Sequence, residues 1–171
     1  HKGKVFLGGN SFLRRAADGS LALRPLEKFR QNAQIRSFRS ERSPFSLTIE
    51  AYFNDLSGQE RVPTISADIA KHSGPPEETY RPDWSIQVDT IPTVGLTGVL
   101  DRTVDPSGFN DKDVVIGVTS DDSPDFAHVA GQGWFPGTYG HVVGAQTLRE
   151  GAPSNIGWIP ALLASAVFSA F

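Results

Sequence analysis

The chain has 171 residues, of which 39% are hydrophobic, 10% aromatic and 20% charged, with a formal net charge of −3; this is ordinary composition for a globular domain. It contains no Cys and no Met, so disulfide frameworks, Fe–S clusters, thiolate zinc fingers and cysteine nucleophiles are excluded. A single domain of this length buries roughly 70% of its unfolded surface and needs no covalent staple. The missing Met leads us to expect that His1 is a processed or trimmed end.

Charge is unevenly spread. Up to Arg42 there are ten Lys/Arg against three Asp/Glu, and beyond it six against sixteen, so a basic N-terminal segment (1–44) precedes an acidic body (45–171). Arg outnumbers Lys eleven to five, and guanidinium is the group suited to bidentate contact with phosphate or carboxylate. Arg14, Arg15, Arg30, Arg36, Arg39 and Arg42 are therefore the candidate partner-binding residues. Their partner is expected to be nucleic acid or an acidic protein surface, including the body of a neighbouring copy.

In chain order, Val5 to Leu7 predicts a short strand ended by Gly8-Gly9-Asn10, and 25–36 predicts a helix opened by Pro25. FSLTIEAYF (45–53) alternates apolar and polar residues and predicts a half-buried strand. A polar loop, 54–60, then leads to a returning strand marked by Val62, Ile65, Ala67 and Ile69. Residues 72–78 predict a Pro/Gly loop. Trp84, Ile86 and Val88 predict a strand, 94–100 a Gly-interrupted strand, Asp105-Pro-Ser-Gly108 a turn, and 114–118 a strand buried on both faces. From Asp121 to Tyr139 frequent Gly and Pro predict a long loop, His141 to Leu148 a further strand, and Ile156 to Phe171 an apolar helix beginning near Pro160. The helix is short of the roughly 20 residues that span a bilayer, so a membrane partner is not expected. Many short strands between turn signals predict a mainly β fold, an antiparallel β-sandwich or β-barrel with one or two peripheral helices.

Phosphate-binding Gly loops, the dinucleotide fingerprint, His-Glu-x-x-His and the nucleophile elbow are all missing from the sequence. Trp134, Phe135 and Tyr139 form a candidate ligand-binding loop, because aromatic rings stack on sugar faces. His1, His128 and His141 are candidate metal ligands. Acids with Asn110 between Asp105 and Asp113 supply oxygen ligands of the kind Ca²⁺ prefers, without the EF-hand order.

A free N-terminal histidine chelates copper through its amine and imidazole. In that residue and in the expected fold class the chain is similar to lytic polysaccharide monooxygenases. The resemblance implies copper held by His1 with His128 or His141, and the aromatic loop facing a polysaccharide. The first expectation from the residues themselves is a non-enzymatic module acting through self-assembly as a homo-oligomer, in a virus or phage particle or an extracellular assembly. The copper-dependent enzyme and a small carbohydrate-binding sandwich are the alternatives.

Overall fold

The computed structural model describes residues 6–9, 31, 33–42, 48–57, 60–75, 78–118, 126–129, 131–153 and 159–169. The described strands are short. β1 (Phe6–Gly9) and β2 (Gln34–Ser37) pair in parallel. β3 (Ser40–Arg42), β4 (Ile49–Tyr52) and β7 (Thr79–Tyr80) form an antiparallel sheet with β4 in the centre. Two hairpins join β5 (Asn54–Ser57) to β6 (Glu60–Pro63) and β8 (Phe126–Val129) to β9 (Gly133–Pro136). The helices are α1 (Ile65–Ala70), α2 (Leu96–Leu100), α3 (Gly137–Glu150) and α4 (Ile159–Ser169). Short strands are present, but not all where expected, and the architecture is one of mixed small sheets and helices instead of a mainly β sandwich or barrel; among the described residues the sheets are not closed.

The core lies where α1 packs along α3 beneath the β3–β4–β7 sheet, with Tyr52, Phe53, Ala67, Tyr80, Val143 and Ala145 buried. Thr64 starts α1. Its hydroxyl accepts from the Ala67 amide and donates to the Tyr52 carbonyl at 2.7 Å, so one side chain caps the helix and ties it to β4. Lys71 ends α1 in the left-handed region (φ 54°), and its amide and that of His72 return to Asp68 and Ala67 carbonyls. Gly144 lets α3 approach α1 closely: a Cβ there would lie 2.7 Å from the Tyr80 hydroxyl and 3.0 Å from Ser66 Oγ.

Several expected elements differ. Residues 34–36 of the expected 25–36 helix lie in β2, because pairing with β1 and burial of the adjoining Ser37 outweigh a helical apolar spacing; residues 25–30 and 32 lie outside the described residues. Of the 45–53 strand, 49–52 is present and 45–47 lies outside the described residues. Tyr52, expected on the polar face, is buried. The hairpin is displaced along the chain: the expected polar loop supplies β5, and Asn54 and Asp55 are buried because partners satisfy both. The returning strand stops at Pro63, and Ile65, Ala67 and Ile69 belong to α1, started by its Thr64 cap.

Downstream, the 84–88 strand is replaced by turns and a 3₁₀ turn at Val88–Thr90; Asp83 accepts from the Ser85 amide at 2.9 Å, an Asx turn that redirects the chain. Hydrogen bonding from Ser85 also holds the Asp83 carboxyl below the usual carboxylate range. The 94–100 strand is helix α2. Residues 114–118 make no strand and are not buried; Ile116 is 81% exposed. Within the expected 121–139 loop, the described residues form the β8–β9 hairpin and the first turn of α3, and the 141–148 strand is the rest of that helix. The Asp105 turn and the helix around Pro160 are as expected.

Candidate functional site

A cavity of about 1000 Å³ opens between the β3–β4 edge, the β8–β9 hairpin and the first turns of α3. Its wall on the strand side is built around Arg39. That guanidinium sits 4.0 Å above the centroid of the Tyr52 ring and donates to Asp55 at 3.3 Å and to Glu41 at 3.4 Å. Asp55 is 1% exposed and also accepts from the Ser37 hydroxyl at 2.8 Å. The charge on the wall is therefore fixed in place by a buried carboxylate and an aromatic face.

The opposite wall is aromatic. Phe135, pointing inward from β9, meets Trp84 with ring centroids 5.4 Å apart, and Phe38 meets His141 of α3 at 5.0 Å. Gln132 holds the Trp84 segment by donating to the Trp84 carbonyl at 2.7 Å. The indole N–H of Trp84 is buried with no partner. Behind the wall, burial pushes the Tyr80 phenol up to about 12, against a smaller pull from the neighbouring Ser66 hydroxyl, with which it forms no hydrogen bond. Aromatic faces beside fixed hydrogen-bonding groups are the chemistry of a small-molecule recognition site.

The structure separates the sequence candidates. Arg14, Arg15, Arg30 and His1 lie outside the described residues, and of Arg42 only its backbone, paired with Ile49, is described. Arg36 and Arg39 are engaged within the fold: Arg36 bonds Asp68 at 3.1 Å and Arg39 bonds Asp55. Of the three aromatic candidates, Phe135 reaches the cavity, while Trp134, its neighbour on the strand, faces out and is 70% exposed. Tyr139 lies on α3, its hydroxyl 3.1 Å from that of Thr93. His128 meets Trp134 edge-on at 5.2 Å, and His141 lines the cavity. Among the described residues no group of three His, Cys, Asp or Glu side chains converges as a metal site. Asp105 is engaged by the Ser107 amide and hydroxyl, which hold its carboxyl below the usual range, and Asp113 pairs with Arg149 at 2.7 Å.

Sequence reasoning missed Trp84, Tyr52 and Asp55 as members of the site. Trp84 was expected on a strand, Tyr52 on a solvent face and Asp55 in a loop; the one available signal was an aromatic and acidic density around 50–55.

A second feature is apolar and exposed. Val94, Leu96, Leu100, Val114, Ile116 and Val118 all present their side chains to solvent within one segment. No protein-family model matches the chain, and no curated protein or solved structure matches it either.

Proposed function

We propose that this protein is a non-enzymatic subunit that works by self-assembly, with the exposed segment 94–118 of one copy covered by a second copy. The observation that carries the reading is the density of exposed large apolar side chains in that segment, far beyond the scattered exposure normal for a monomer. The same segment holds Asp101, Asp105, Asp111 and Asp113 against Arg102 and Lys112, whereas the chain up to Arg42 is strongly basic. Arm and body are complementary in charge, which steers a head-to-tail contact between identical chains. Arg36 and Arg39 are engaged within the fold, so the contact draws on the other basic residues, Arg14, Arg15, Arg30 and Arg42 among them. Strand pairing between copies would join the small open sheets into the larger antiparallel β architecture expected from the sequence.

Light scattering at low and high salt tests this. The expected result is a multi-subunit particle that dissociates in high salt and that Ile116→Glu weakens at least tenfold. A monomer at both salt concentrations overturns the reading.

The cavity favours one second reading, a site for a small neutral sugar. Trp84 would stack on its apolar face, and Arg39 and Glu41, already paired with each other, would bond its hydroxyls. Calorimetric titration with mono- and disaccharides, repeated on Trp84→Ala, tests it.

A further inference from the structure

Helix α4 is eleven residues long and every residue in it is exposed. Ile159, Leu162, Leu163 and Val167 crowd one side, and Phe168, 82% exposed, stands about 180° round the axis from Ile159. The two polar side chains present no polar face: Ser165 donates to the Ala161 carbonyl and Ser169 to the Ser165 carbonyl, each at 2.8 Å. From Gly151 to Phe171 the sequence holds no Asp, Glu, Lys, Arg or His, and Trp158 stands immediately before the helix.

We infer that α4 inserts into the hydrocarbon of one leaflet of a lipid membrane. A protein partner covers one side of a helix. An eleven-residue helix is about 16 Å long and about 10 Å wide, so the strip it offers is on the order of 300 Å², well below the roughly 800 Å² per partner of a stable interface. Such a partner would also leave either Ile159 or Phe168 in water. Lipid covers every side at once, and an uncharged stretch whose hydroxyls are satisfied by its own backbone is what hydrocarbon accepts. Tryptophan at the start of the helix is the residue favoured at the membrane interface. Against a hydrocarbon core about 30 Å thick the helix reaches about halfway, in keeping with the finding that no described helix is long and apolar enough to cross a membrane. The inference uses none of the 94–118 surface on which self-assembly rests.

The test is flotation of the full chain with vesicles of pure phosphatidylcholine, which carry no net charge and so offer the basic segment nothing to bind. The protein is expected to float at low and high salt alike. Leu163→Glu combined with Phe168→Glu is expected to lower the bound fraction at least tenfold with an unchanged far-ultraviolet circular dichroism spectrum, since neither side chain packs against the fold. Ile116→Glu is expected to float as the unaltered chain does. Three results would overturn the inference: unaltered protein left at the bottom of the gradient, flotation lost with Ile116→Glu but kept by the α4 variant, or an α4 variant whose only change is a smaller particle in vesicle-free solution. The last result would assign α4 to a second copy.

Discussion

Arg39 and Asp55 form an ion pair at 3.3 Å in which the carboxylate is 1% exposed and the guanidinium 18%. The pair links the chain between β2 and β3 to the first residues of β5, and the ring of Tyr52 closes the far face of the guanidinium. Ser37 completes it, because its hydroxyl donates to Asp55 and accepts from the Arg39 amide at 3.0 Å. A buried carboxylate is tolerated here because each of its oxygens has a donor.

Removing one partner is therefore expected to cost more than the pair contributes. Asp55→Ala removes the buried acceptor shared by the Ser37 hydroxyl and the Arg39 guanidinium, leaving the latter its weaker contact with the exposed Glu41, and should destabilise the fold by about 3 kcal/mol. Asp55→Asn keeps an acceptor for Ser37 and should lose roughly half as much. Urea denaturation of the two variants checks the ordering; equal losses would show that the charge is unimportant.

Tyr80 gives the fold a defined alkaline limit. Its folded pKa of about 12 stands above the ordinary value of 10.0 because burial disfavours the phenolate. The native state therefore keeps the proton where the unfolded chain has lost it. Stability is complete below about pH 10 and falls as pH rises toward about 12, by about 2–3 kcal/mol in all. Tyr80→Phe removes a hydroxyl that has no formed hydrogen bond, so it should leave stability at neutral pH within about 1 kcal/mol and abolish the alkaline loss. Denaturation at neutral and alkaline pH, with tyrosinate absorbance followed alongside, measures both effects.

Gly144→Ala tests the close packing of α1 on α3. The added methyl would meet the Tyr80 hydroxyl at 2.7 Å and Ser66 Oγ at 3.0 Å, and overpacking of this kind costs about 1–3 kcal/mol. Since the phenol oxygen is the nearest atom, combining it with Tyr80→Phe should recover part of the loss. A double-mutant cycle that shows strict additivity would mean that the helices separate instead.

Two threonines offer a matched comparison. Thr64 caps α1 and holds the Tyr52 carbonyl, so Thr64→Ala should cost about 1–2 kcal/mol. Thr147 accepts from the Asp83 amide at 2.7 Å while donating to the Val143 carbonyl at 2.8 Å. Thr147→Val preserves the shape but strands that amide, at a cost of about 1–3 kcal/mol. Hydrogen exchange should show the Asp83 amide losing protection only in the second variant.

The features legible in the sequence alone are local or compositional. The absence of Cys and the contrast between basic segment and acidic body follow from composition, and the Asp105 turn and the helix at Pro160 from residues within a few positions of one another. Tertiary structure decided the rest. Alternating or continuous apolar runs at 94–100, 114–118 and 141–148 fit a strand as well as a helix or an exposed segment, and only the presence or absence of a neighbouring strand separates these outcomes. Ile65, Ala67 and Ile69 became helical because Thr64 could reach both the Ala67 amide and the Tyr52 carbonyl. The cavity was least legible, since it joins residues as far apart as Arg39, Trp84 and His141, and Asp55 behind its wall is buried only because Arg39 and Ser37 arrive beside it from another part of the chain. Spacing along a sequence fixes which face a residue occupies, whereas burial of a charge depends on partners that folding brings from a distance.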